Sequence, residues 1–159
     1  MSKSIGNIVN PWEMMDKYGV DTLRLWMYSV NQPGDSKNFD EKTVAEIHGK
    51  IFTLINNCHK FYETYVNEMK AGFTPTESPN VLDQWILAKL AELIKEGTEK
   101  FDSYKVFEPA RALRDFVSEL STWYIRRSRD RFKGDDESDK QFALATTKHV
   151  FLELAKYMA

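Results

Sequence analysis

A chain of 159 residues with 42% hydrophobic and 29% charged residues suits one domain, or one domain with a small appendage, carrying its own core. No apolar run approaches the length that spans a bilayer, and the polar residues after Met1 do not read as a secretory leader. The single cysteine, Cys58, excludes an internal disulfide or a cysteine-built zinc cage and points to a reducing, cytoplasmic setting, while a net charge of -2 confines any nucleic-acid role to local charge asymmetry.

In chain order, Asn10 is placed to cap a short helix, with Pro11 at its first position and Glu13 three residues on. Gly19 sits where that helix needs a residue of positive φ to end. Asp21 is expected to cap a second short helix presenting Leu23, Trp26, Met27 and Val30. The polar stretch from Asn31 to Asn38, with its Pro33-Gly34 turn, reads as a loop. Asp40 then caps a long helix whose apolar face holds Val44, Ile47, Ile51, Ile55, Cys58, Tyr62, Tyr65 and Met69. Residues Ala71 to Asn80 contain a glycine and two prolines and form a connection. A second long helix carries Leu82, Trp85, Ile86, Leu90, Leu93, Ile94 and Phe101. A third begins near Pro109, shows Ala110, Leu113, Val117, Leu120 and Tyr124, and runs on to about Phe132. Gly134 to Asp139 reads as an acidic turn, and a fourth helix carries Phe142, Ala145, His149, Val150, Leu154 and Tyr157.

No segment alternates with period two for the length of a strand. The expected fold is therefore all-α: an antiparallel helical bundle over residues 40–159, with residues 1–39 too short for a core of their own and packed on it as a helical appendage.

Charge is concentrated between Lys105 and Lys133, where eight basic residues face four acidic ones, so the rest of the chain is acidic. At the centre stands Trp123-Tyr124-Ile125-Arg126-Arg127-Ser128-Arg129-Asp130-Arg131-Phe132-Lys133. Helical spacing puts Trp123, Arg127, Asp130 and Arg131 on one side and Arg126, Arg129 and Lys133 on another. A planar guanidinium bridges phosphate oxygens or stacks on an unpaired base, and Trp123 and Tyr124 offer stacking surfaces for single-stranded bases. The same residues also fit a solvated helix end with Arg126 or Arg127 paired to Asp115, Glu119 or Asp130, and Tyr124 fits a core position. His48, His59 and His149 lack metal-ligand spacing, and Asp135-Asp136-Glu137 reads as a solvated turn, so no metal site is expected.

Ser2-Lys3-Ser4-Ile5-Gly6-Asn7, followed by Asp16-Lys17-Tyr18-Gly19-Val20-Asp21-Thr22-Leu23-Arg24, resembles the region after the catalytic fold in the class I aminoacyl-tRNA synthetases for isoleucine, valine and leucine. Asp83-Gln84-Trp85-Ile86-Leu87, Trp123-Tyr124-Ile125-Arg126-Arg127-Ser128-Arg129 and the Pro33-Gly34-Asp35 turn are most similar to the isoleucyl-tRNA synthetases. The resemblance covers nearly the whole chain. It implies that Lys3, flanked by Ser2 and Ser4, belongs to a loop contacting ATP phosphates, with magnesium, in a full-length ligase. Residues 10–38 would correspond to a stem-contact region and the bundle to an anticodon-binding domain, truncated before its last helix. The partners implied are tRNA, isoleucine-specific, and the catalytic domain of the same polypeptide, with no membrane. Trp123, Arg126, Arg127 and Arg129 become the expected tRNA contacts. The chain by itself, without the nucleotide-binding fold, is expected to bind no cofactor and to be catalytically inactive. The valyl or leucyl counterpart, or a helical protein-interaction module, is the alternative.

Overall fold

The computed structural model describes residues 9–32, 34–36 and 38–159, and every regular element among them is helical. Ser2, Lys3 and Ser4 lie outside the described residues. The all-α fold expected from the apolar period is the fold observed.

Asn10 accepts a hydrogen bond from the Trp12 amide at 3.1 Å, and its side-chain nitrogen donates to Glu13 at 2.9 Å. These bonds open α1 (Pro11–Tyr18). Gly19, with φ of 82° and ψ of 152°, both ends α1 and opens α2 (Val20–Ser29), so one residue of positive φ makes the corner. Asp21, expected as the cap of α2, lies instead in its first turn, where it accepts from Arg24 at 2.9 Å. The buried face of α2 is also rotated from the expected one, to Thr22, Leu25 and Trp26, because tertiary contacts select it. Leu25 enters the main core, and the Trp26 indole donates to the Thr43 hydroxyl at 2.7 Å.

The long helix expected from Asp40 to Met69 is a rod of three segments that stops earlier. Asp40 accepts from the Lys42 amide at 2.9 Å. α3 (Glu41–Ile47) passes through a π turn at His48–Thr53 into α4 (Leu54–Glu63), and a 3₁₀ turn at Val66–Glu68 follows. α5 (Val81–Asp102) is capped by Asn80, which accepts from the Leu82 amide at 3.0 Å. α6 (Phe107–Glu119) starts ahead of Pro109, so the proline falls in the first turn, where a missing amide costs no intrahelical bond. A second π turn, Leu120–Ile125, joins α6 to α7 (Arg126–Lys133). α8 (Glu137–Met158) begins inside the expected acidic turn, with Asp136 accepting from the Asp139 amide at 3.1 Å.

α5, α6, the second π turn and α8 build the main core from Ile86, Leu90, Leu93, Leu113, Val117, Leu120, Tyr124, Val150 and Leu154. Cys58 is buried there, as its place on the apolar face of α4 implied, and burial pushes its thiol up. Gly97 of α5 is dictated by close approach, since a Cβ at that position would stand 2.4 Å from the Tyr157 hydroxyl of α8. A second cluster gathers Tyr62, Phe132, Ala143 and Leu144. Within it the Phe132 ring meets Phe61 edge-on at 5.1 Å and Tyr65 at 5.6 Å. That aromatic seat anchors the end of α7 against α4.

α1 and α2 lie against α3, with Lys17 and Tyr18 both donating to Glu41, and α2 also touches α6 through the Arg111 bond to the Ser29 carbonyl. Phe101, expected on the apolar face of α5, is 41% exposed near its end, although its ring still meets Tyr157 at 6.1 Å.

Candidate nucleic-acid interface

The segment from α6 to α7 is one continuous helical rod with an inner and an outer side. Leu113, Val117, Leu120, Tyr124, Ser128 and Phe132 are buried along it. Three successive four-residue steps, from Leu120 to Phe132, would drift around a regular α-helix of 3.6 residues per turn. The extra residue accommodated in the π turn restores the phase, and Ile125 is buried beside Tyr124 as a result.

The outer side is what remains. Thr122, Trp123, Arg126, Arg127, Arg129, Asp130 and Lys133 are all exposed. Trp123, Arg126, Arg127 and Asp130 follow one another at three- and four-residue spacing and form a single stripe. The Arg127 guanidinium stacks over the Trp123 ring at 3.7 Å, and the indole is still 47% exposed. Arg129 stands on the α4 side of the stripe, 5.8 Å from the Phe61 ring. Among the described residues, no carboxylate lies within ion-pair distance of Arg126, Arg127 or Arg129, whereas Arg114 is tied to Asp115 at 3.1 Å. The pairing of Arg126 or Arg127 with Asp115, Glu119 or Asp130 that their spacing allowed is not formed.

Arg131 does not share the exposed side on which helical spacing put it. It turns inward and donates to both oxygens of Asp83 at 2.8 Å. It also reaches Asp139, from Nε at 2.8 Å and from Nη2 at 2.7 Å. Asp83 is fully buried and further accepts from the Tyr124 hydroxyl at 2.7 Å and the Ser78 hydroxyl at 2.6 Å. Asn80 donates to Asp139 at 3.1 Å. The two carboxylates lie in the first turns of α5 and α8, and the guanidinium lies in the last turn of α7, so all three helix dipoles favour the arrangement.

Burial opposes the charge on Arg131, but its bonds to Asp83 and Asp139 outweigh that and raise its pKa further. The bond from Arg131 holds Asp139 below the usual carboxylate range. Burial, then the charge of Asp83, pushes Tyr124 well above the ordinary phenol value. Tyr124 is thus a core residue, the second of the two roles its position allowed. The network was not legible in sequence. Asp83 in a capped first turn has the look of a solvated acid, and only the crossing of α5, α7 and α8 turns it inward.

Among the described residues no group of His, Cys, Asp and Glu is placed to hold a metal ion. No helix among them is long and apolar enough to cross a membrane.

Residues 83–159 match the family described as the anticodon-binding domain of tRNA ligase, and residues 1–40 match the class I tRNA synthetases of the I, L, M and V group. The whole chain is similar to the isoleucine–tRNA ligase of Deinococcus radiodurans, at 37% identity over 163 residues and 15% of that protein. It is similar over its full length to the Thermus thermophilus ligase of the same name, at 38% identity and 16% of that protein. The Porphyromonas gingivalis ligase is 40% identical over 167 residues, again across all of this chain and 14% of the relative. The chain therefore spans about 15% of the length of the curated relatives it matches.

Proposed function

This chain belongs to the class I tRNA synthetases, and on that premise we propose that it is the tRNA-binding, anticodon-recognising portion of an isoleucine–tRNA ligase. The observation that carries the proposal is the outer stripe of the α6–α7 rod. There an exposed indole is stacked by Arg127, with Arg126 and Arg129 beside it and, among the described residues, no carboxylate within ion-pair distance of the three guanidiniums. Guanidinium groups free of internal partners bind phosphate oxygens, and an exposed indole takes an unstacked loop base.

In this reading Arg126, Arg127 and Arg129 hold the RNA backbone and Trp123 supports a base. The inward pairing of Arg131 supports the same assignment by leaving these three, with Lys133, as the exposed positive charge of α7. Residues 40–159 form the recognition bundle, and residues 10–38 form the stem-contact region that links it to catalysis. Lys3, with Ser2 and Ser4, is proposed to contact the phosphates of magnesium-bound ATP in the whole cytoplasmic ligase. That assignment rests on the match over residues 1–40.

The test is a filter-binding titration with isoleucine, valine and leucine tRNA transcripts at two salt concentrations. The isoleucine transcript is expected to bind most tightly, with affinity falling steeply as salt rises. Equal affinity for all three, unchanged by the double substitution Arg126→Ala and Arg127→Ala, overturns the proposal.

A further inference from the structure

Arg111, in the second turn of α6, is exposed but fixed from two sides. Its Nε donates to the Ser29 carbonyl at the end of α2, 3.3 Å away, and its guanidinium lies over the Phe107 ring at 4.0 Å. Among the described residues no carboxylate stands within ion-pair distance of it, and no acceptor takes its two terminal nitrogens. Arg114, one turn on, differs, since its Nε and Nη2 both donate to Asp115 at 3.1 Å. The two arginines edge a small pocket of about 180 Å³ between α2, α3 and α6. Its other polar groups are already committed. The Thr43 hydroxyl donates to the Asp40 carbonyl and accepts from the Trp26 indole, and the Ser29 hydroxyl donates to the Leu25 carbonyl. The Glu46 carboxylate is paired with Lys50 at 3.1 Å. The terminal N–H groups of Arg111 are left as a preset, positively charged fork.

We infer that Arg111 is a phosphate-binding residue that holds the sugar–phosphate backbone of a paired arm of the tRNA, at the junction of the α1–α2 appendage with the bundle. The inference rests on the tRNA-binding reading and extends it to a face remote from the arginines of α7. At a rise of about 1.5 Å per residue the rod places Arg111 roughly 22 Å from Arg126. Both ends of that span border the seam between the α6–α7 rod and the α3–α4 rod. Arg111 shares its pocket with Thr43 and Glu46 of α3, and Arg129 stands 5.8 Å from the Phe61 ring of α4. One RNA lying along the seam therefore meets a guanidinium at each end. An RNA held at α7 by unpaired bases presents, at that distance, a helical arm, which proteins grip through phosphates and ribose rather than base edges. A guanidinium fork suits this ligand because its N–H groups match two phosphate oxygens. The Ser29 bond and the Phe107 ring already order the side chain, so little freedom is lost on binding.

The experiment titrates the chain, by anisotropy at several salt concentrations, with fluorescein-labelled isoleucine tRNA and with a hairpin carrying the same anticodon loop on a minimal stem. Circular dichroism melts follow the folding of each variant. Arg111→Gln keeps a stem over Phe107 and removes the charge. It is expected to weaken intact tRNA about fivefold and to lower the slope of log affinity against log salt by about 0.7–0.9, with hairpin binding unchanged. Arg126→Ala is expected to weaken both RNAs. Arg111→Lys is expected to keep the slope, because the charge remains, with an affinity between those of the parent chain and Arg111→Gln. A purely structural role, through the Ser29 bond, would lower the melting temperature without moving the slope or separating the two RNAs. Unchanged tRNA affinity in Arg111→Gln, an equal loss for hairpin and tRNA, or a slope lowered as much by lysine as by glutamine overturns the assignment. Salt-dependent tRNA binding that still responds to Arg126→Ala then leaves the broader reading standing. Failure to bind tRNA at all overturns both.

Discussion

Arg131 places one terminal guanidinium nitrogen on each carboxylate oxygen of Asp83, at 2.8 Å, across 48 residues of chain. Asp83 has no exposed side-chain surface and Arg131 has 10%, so the pair is a desolvated fork rather than a surface ion pair. Two charges taken out of water are tolerated here because the remaining acceptor sites of Asp83 are filled by the Tyr124 and Ser78 hydroxyls, and Arg131 is further bonded to Asp139. The fork fixes α7 against the first turns of α5 and α8, and through Tyr124 it also fixes the π turn from which Trp123 projects.

Arg131→Met leaves Asp83 buried without its cation and is expected to cost about 3–5 kcal/mol. Urea unfolding followed by circular dichroism reads this directly. A loss below about 1 kcal/mol would show that the pair is solvated in solution.

The network sets opposite pH limits. Asp139 has a folded pKa below its ordinary 3.8, so its contribution is complete above that value. It is lost as pH falls through the folded value. Tyr124 has a folded pKa above its ordinary 10.0, so its contribution is complete below that value and is lost as pH rises toward the folded one. Stability measured against pH is therefore expected to be flat near neutrality and to fall on both sides. Asp139→Asn should flatten the acid limb and Tyr124→Phe the alkaline limb, each at the expense of stability at neutral pH. An acid limb unchanged in Asp139→Asn would contradict the assignment.

The exposed arginines act as separate phosphate contacts in the proposed function. Each of Arg126→Ala, Arg127→Ala and Arg129→Ala is expected to reduce the slope of log affinity against log salt by about 0.7–0.9. Trp123→Ala should weaken tRNA binding by about 1–3 kcal/mol with little change in slope, because stacking releases no counterions. Titrations at four salt concentrations separate the two behaviours.

Phe132 is fully buried between Phe61 and Tyr65, and Phe132→Ala is expected to cost about 3–5 kcal/mol through lost burial and an unfilled cavity. Thermal melts of the variant, compared with Arg129→Ala as an exposed neighbour, check the prediction.

Much of this molecule is local in origin and was legible along the chain. Asn10 and Asp40 cap the helices they precede, because a side-chain acceptor two residues ahead of a free amide acts without tertiary help. The apolar period identified most of the buried faces of α4, α5 and α6; on α8 it found Ala145, Val150 and Leu154 but placed the exposed His149 with them and missed Ala143 and Leu144, which the packing of Phe132 and Tyr62 buries. The π turns were invisible, since an added residue within a helix leaves composition and periodicity nearly unchanged over a short window.

By itself the sequence determined an all-α chain, the order of its main helices with the caps Asn10 and Asp40, its kinship with the tRNA synthetases, and the place where positive charge accumulates. Only the tertiary structure decided which arginine of that segment is structural and which are free. A helical wheel treats Arg127 and Arg131 as neighbours one turn apart. The approach of α5 and α8 to the end of α7 separates them, sending Arg131 onto the carboxylates of Asp83 and Asp139 and leaving Arg127 on an exposed indole. That division depends on partners 48 residues away in the chain for Asp83 and on helix ends that meet only after folding, which no local pattern encodes.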